Sequence, residues 1–362
     1  MAAFAVLLAA SVVKFFYKED KPQAVAESPA PSPDVSALPE VRQHSLAPDS
    51  VASIAPAEST TNEVIATNLY ARLANGDIPR VSREQLEPFL AKNHRSVDSL
   101  LGALRASGDS NLLNEAKEKF PGDPRVQFAA WFKGNSPEEK REWLDKFKQS
   151  APDNALPDYL LAAEHFKAGD AAQALQEITA ANAKPGFENY LLDFIQNAEE
   201  AYRAGGYSPA EAKGVANMSA LLPELAQLKQ VGVNLAELAK QYRQAGDEPS
   251  AQAALEMALN LAHRQDQTPQ TTLIQELVGM AIERIAFNGM NPSAPYGQSG
   301  QTVQDQLDAL AARRKAIREL TDQTGAILKT FSDEELTHYF DRERIYGEVA
   351  ALHWVANQAP RP

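Results

Sequence analysis

Chemistry needs side chains of the right type at a spacing that lets them converge, and the nearest approach to that here is Glu335-Leu-Thr-His338. A carboxylate and an imidazole three residues apart face the same way on a helix, the spacing used by carboxylate-bridged di-iron centres. Such a centre needs a second Glu-x-x-His on a facing helix, and the chain has none. Ser332 lies three residues before Glu335, so a capped helix start is the simpler expectation. The six histidines, His44, His94, His165, His263, His338 and His353, are scattered, with no His-x-x-x-His pair. The absence of cysteine removes thiolate metal ligation, disulfides and a cysteine nucleophile together. There is no Gly-x-Ser-x-Gly elbow and neither of the common glycine-rich phosphate-binding motifs. The sequence therefore predicts no catalytic residues, no metal and no cofactor, and a protein that is not an enzyme.

The elements that could present any other site begin with composition. The chain has 362 residues, 44% hydrophobic and 23% charged, enough for one or two domains with a substantial core. Its net charge of −13 argues against nucleic acid as a partner, because phosphate binding needs a basic face. Residues 1–17 form an apolar run broken only by Lys14. A full membrane span takes about 20 residues, so the run suits an anchor or an uncleaved signal if Lys14 reaches the interface. Lys14, Lys18 and Lys21 alone would place the rest of the chain in the cytoplasm. The Pro-, Ala- and Ser-rich residues 18–60 instead match tethers that hold a domain on the periplasmic side of a bacterial inner membrane, which is the localisation expected. That linker has no periodic apolar face and is expected to stay disordered.

From residue 61 the patterning is helical throughout, and the fold class expected is all-α. Ser82 with Gln85 has capping-box spacing, and Leu100, Leu101 and Leu104 mark one helix side. Phe128, Trp131, Phe132, Trp143 and Phe147 form the densest aromatic cluster, read as core. Breaks recur at Gly108-Asp109, Gly134-Asn135, Gly169-Asp170, Gly205-Gly206 and Gly246-Asp247, at intervals of 26, 35, 36 and 41 residues. Residues 269–362 depart from this spacing. Their elements are an apolar helix from Thr271 to Phe287, a Gly/Pro/Ser loop, and a long helix from Thr302 to Thr330. A last helix follows Ser332.

The residues 234–263, with Ala239, Tyr242, Gly246-Asp247, Ala251 and Ala258, resemble a tetratricopeptide repeat, as do Leu161, Ala162, Phe166, Gly169-Asp170, Ala174 and Ala181. The resemblance covers roughly residues 95–265. It implies a right-handed α-solenoid of helical hairpins over residues 61–268, with 269–362 as a C-terminal helical extension. It also implies a concave face lined by the first helix of each hairpin. On this sequence that face would carry Tyr159, Lys167, Tyr202, Arg203, Lys240 and Arg243, with Glu199 beside Arg203. Cations there would hold an acidic protein or peptide segment. The function expected is a membrane-tethered scaffold for other proteins. A self-associating component of a cell-envelope complex, joined through the long C-terminal helices, is the alternative.

Limited proteolysis is expected to cut first within residues 18–60 and to release a folded fragment that starts near Asn62. Mass spectrometry of the first products checks this, and protection of that stretch would mean that it packs on the domain.

Overall fold

The computed structural model describes residues 68–265, 270–298 and 300–358. The expected membrane run 1–17 and linker 18–60 lie outside the described residues. Among the described residues the chain is all-α, with sixteen helices, no strand and two isolated bridges. None of these helices is long and apolar enough to cross a membrane. The first four are α1 (Leu69–Ala74), α2 (Arg83–Lys92), α3 (Val97–Ser107) and α4 (Ser110–Lys119). Next come the pairs α5 (Pro124–Lys133) with α6 (Pro137–Ser150), and α7 (Leu156–Lys167) with α8 (Ala171–Ala183). The pairs α9 (Leu191–Ala204) with α10 (Pro209–Met218), and α11 (Glu224–Gln244) with α12 (Glu248–Gln265), follow. The chain ends with α13 (Leu273–Asn288), α14 (Val303–Leu328), α15 (Asp333–Tyr346) and α16 (Glu348–Ala356).

The hairpin turns have one chemical recipe. At Gly169, Gly206 and Gly246 the backbone is left-handed, with φ of 78°, 96° and 81°. A side chain at those angles would press on the following carbonyl, so glycine ends the helix. The next amide then reaches back: Asp170 N–H donates to His165 O, Tyr207 N–H to Tyr202 O, and Asp247 N–H to Tyr242 O. This is the Schellman closure, and it satisfies carbonyls that the helix end leaves open. At two of the turns the residue after the glycine also starts the return helix, whereas after Gly206 the cap is Ser208. Asp170 accepts from Gln173 N–H and Asp247 from Ser250 N–H, each at 3.1 Å. A Gly-Asp pair is thus a stop and a start in two residues. Gly134 differs, with φ −57°, and the turn there is made by Ser136 capping α6 instead.

Neighbouring helices pack in sequence from α2 to α8, as expected of a helical solenoid. The pair α9–α10 then leaves the row. Instead of lying between α7 and α11, α9 packs on α2 and α3, while α11 packs directly on α7. Two glycines allow this. A methyl group on Gly102 of α3 would collide with the Asn197 carbonyl of α9, and one on Gly205 would sit 2.6 Å from Val81 Cγ1. Tyr202 of α9 donates its hydroxyl to Pro79 O at 3.1 Å. Because α9 is covered on more than one side, Leu191, Phe194, Ile195, Ala198, Ala201 and Tyr202 are all buried.

The C-terminal helices close on the same region. A methyl group on Gly214 of α10 would lie 3.1–3.3 Å from side-chain atoms of Leu73, Leu69 and Phe340, so α10 is wedged between α1 and α15. Asn68, which caps α1, also donates to Leu328 O at 2.7 Å and to Phe331 O at 3.1 Å. Arg344 of α15 reaches Glu199 of α9 at 2.6 Å. One hydrophobic cluster consequently runs from Leu69 to Val355 and crosses the boundary expected near residue 268. Ala174, Ala251 and Ala258, the small residues of the repeat pattern, are fully buried. Phe128, Trp131, Trp143 and Phe147 are core as well, whereas Phe132 is 37% exposed.

Gly102→Ala is expected to destabilise the fold by about 1–3 kcal/mol, because neither backbone at the crossing can yield cheaply. Gly325→Ala, in a helix where nothing lies within 4 Å, should stabilise it by about 0.5–1 kcal/mol. Urea unfolding of both variants checks the pair. Equal effects would show that α3 and α9 do not meet as described.

Candidate functional site

The six residues expected to form a concave site are not all presented on one exposed face. Tyr159 is fully buried, with its hydroxyl donating to Asn182 Oδ1 at 2.6 Å, and burial pushes its pKa up to about 12. Tyr202 is buried against Pro79, so neither tyrosine is presented to a partner. Lys167 is exposed and pairs with Glu164 at 2.8 Å, and Lys240 is exposed near Glu237 at 3.7 Å. Arg243 spans Glu248 at 2.9 Å and the Gly289 carbonyl, a strut between hairpins. Arg203 is exposed on α9, which packs with α3 rather than beside α7 or α11. Glu199 turns to Arg344 instead of Arg203. The row of first helices that would have aligned these cations is interrupted where α9 leaves it.

The Glu335/His338 pair also resolves into structure. Glu335 accepts from the Ser332 amide and hydroxyl, both at 2.8 Å, completing the capping box of α15, while His338 is exposed near Glu334. No group of metal-ligating side chains occurs among the described residues.

A surface feature that sequence reasoning missed lies between α13 and α14. Thr272 and Thr302 each close a capping box, fixing where the two helices begin. The loop between them is ordered by an isolated Pro295–Thr302 bridge and by Tyr296 set edge-on to Phe287 at 5.0 Å. Arg313 of α14 donates to Glu276 of α13 at 2.9 Å and ties the two helices together. On α13, Ile282 packs inward onto Gly232 of α11. Leu277, Met280 and Ala281 turn toward α14, where Leu307, Leu310 and Ala311 meet them. These six make the floor of an open groove of about 370 Å³. Arg284, Arg314, Lys315 and Arg318 complete its lining, and no carboxylate is part of it. The signal was present in the sequence as apolar Leu307, Leu310 and Ala311 followed at helical spacing by Arg314 and Arg318. A second recess, beside Asn189 and Gln265, is only about 50 Å³, water-sized rather than ligand-sized.

The interior holds one unusual charge arrangement. Glu224, at the start of α11, is 1% exposed; its Oε1 accepts from Asn189 at 2.8 Å and its Oε2 has no hydrogen-bond partner. Burial pushes its pKa up to about 7, against the pull of Arg105. Arg105 lies over the Phe194 ring at 4.4 Å, and burial lowers it to about 10. Glu343 is likewise held well above the usual carboxylate range by burial and by Glu348.

Comparison with protein families, with characterised proteins and with solved structures gave no significant match to this chain. The groove and the buried carboxylate therefore have to be read from their own chemistry.

For Glu224 that reading has a sign. Between an unfolded carboxyl pKa of about 4.3 and the folded value of about 7, the folded state keeps a proton that the unfolded state has lost. Stability from this group therefore falls as pH rises through that window. Glu224→Gln is expected to remove on the order of 2–3 kcal/mol of the decline between about pH 5 and pH 8. Urea midpoints of parent and variant at both pH values check it. A decline of unchanged size would show that Glu224 does not titrate there.

Proposed function

We propose that this chain is a membrane-tethered scaffold whose tetratricopeptide-like helical hairpins carry a C-terminal extension that binds other proteins. The observation that carries this reading is the groove between α13 and α14. Six apolar side chains line a solvent-open channel between two well-capped helices, and no other helix has taken that place among the described residues. Such a surface loses stability in water and gains it when covered. Its openness fits a segment of protein chain better than a small molecule, which enclosed sites hold by surrounding it. The tether rests on the apolar residues 1–17, and the Pro-, Ala- and Ser-rich residues 18–60 support a spacer on the periplasmic side.

A photo-crosslinking residue at Leu310 in the full-length protein, expressed in its own membranes, is expected to trap a defined protein partner. The same residue at Lys240, on the face first expected to bind, should trap little. Crosslinks at Lys240 with none at Leu310 would move the binding surface to the hairpins, and none at either would remove the scaffold reading.

A further inference from the structure

We propose that Glu343 and Glu348, on either side of Gly347, form a proton-operated joint: while the pair holds a proton α16 stays closed on α13 and α14, and loss of the proton releases it. This goes beyond the scaffold reading and does not depend on it. The first support is the hinge. Gly347 alone joins α15 to α16, at φ 84° and ψ 162°, a backbone essentially restricted to glycine. One such residue is enough to let two helices change their angle. Just past it, Glu348 is fastened to the start of α13. Its N–H donates to Thr271 O at 3.2 Å, and its Oε2 accepts from Leu273 N–H at 2.8 Å. Ile345 and Tyr346 are 55% and 58% exposed, so the corner lies at the surface, within reach of solvent protons.

The second support is the surroundings of the two carboxyls. Glu343 follows Tyr339 by one helical turn, and Tyr339 is buried, so Glu343 is on the inward side of α15. The groups that act on it are Glu348 of α16, Tyr70 of α1, and Tyr339 and Arg344 of α15; Glu276 of α13 acts on Glu348. Arg344 is the cation among them, and its guanidinium is turned to α9, toward Gln196 at 2.8 Å and Glu199 at 2.6 Å. On the facing α10, Lys213 is paired with Asp341. Burial, and then Glu348, hold Glu343 well above the usual carboxylate range. Burial also raises Glu348, but the Leu273 amide favours its ionised form, so the proton resides on Glu343.

An unfolded glutamate loses its proton at about pH 4.3, whereas Glu343 in the closed joint keeps it to higher pH. The closure that this proton stabilises is therefore complete below about pH 4.3 and is lost as pH rises through the folded value. Beyond that value two carboxylates face each other across the corner, beside two phenols. Pivoting at Gly347 relieves this by bringing Glu343 to water, and the Glu348 bond to Leu273 gives way. Because α16 packs on α14 and buries Ala351, Leu352 and Val355, its release uncovers part of α14.

Hydrogen–deuterium exchange of the full-length protein at about pH 5 and about pH 8.5, corrected for the intrinsic pH dependence of exchange, tests the joint. Between the two values α16 is expected to lose protection at least about tenfold more than α3 and α9, the factor that one pH unit of raised affinity for the proton supplies. Glu343→Gln, which cannot ionise, should hold that difference below about twofold. Should the variant fail to fold, NMR of the parent carrying carboxyl-labelled glutamate still decides. Besides the resonance that Glu224→Gln removes, one glutamate must titrate above the ordinary range, in step with the loss of protection on α16. No loss beyond that of α3 and α9, or the same loss in Glu343→Gln, overturns the joint. So does a carboxyl that titrates high while α16 stays protected.

Discussion

The close crossing of α3 and α9 at Gly102 is the constraint on which the rest of this fold depends. Two helix backbones can approach that far only where one has no side chain, and a methyl group at 102 would strike the Asn197 carbonyl. Because α9 is drawn there, α11 packs on α7, and α10 is carried to α1 and α15. The first helix is tied to the end of α14 through Asn68. A row of hairpins that would otherwise stay open is thereby tied across its own length. The coverage of α9, the burial of Tyr202 and the loss of a shared concave face all follow from that one approach.

Charge has two distinct uses in this molecule. Many cations are struts between helices. Arg95 grips both oxygens of Glu115 at 2.6 Å, which holds that carboxyl down to about 2. The fully buried Asp158 is held between Lys148, at 3.1 Å, and Lys184. Lys213 reaches Asp341, and Arg344 reaches Glu199. Such pairs fix geometry because separating them would leave a buried charge without its partner. Other cations, Arg284, Arg314, Lys315 and Arg318, border the apolar side chains of the α13–α14 groove.

Much of the local structure was legible in the sequence. The Gly-Asp breaks at 169 and 246 are Schellman stops followed by aspartate caps, and Ser82 and Ser332 begin their helices as their spacing implies. The buried alanines of the repeat are where the pattern puts them. What could not be read was the partner of each face. Gly102 lies inside an ordinary amphipathic run, and nothing in its neighbours announces a helix 95 residues later. Tyr159 and Tyr202 look like inner-face residues only if successive first helices stack, and the excursion of α9 removes that condition. The groove was hidden for a related reason. A helix apolar on most sides, such as α13, does not say which side its neighbours leave open. Only the groove between α13 and α14 reveals that Leu277, Met280 and Ala281 line an opening.

Hydrogen–deuterium exchange of the full-length protein, alone and with the protein partner trapped at Leu310, tests the central claim most directly, because it locates the occupied surface without altering a residue. The account predicts new protection confined to residues 277–284 and 307–318, with α3 and α9 slow and unchanged. Protection along α7, α9 and α11, around Lys167, Arg203 and Lys240, would contradict it and restore the concave row as the binding face.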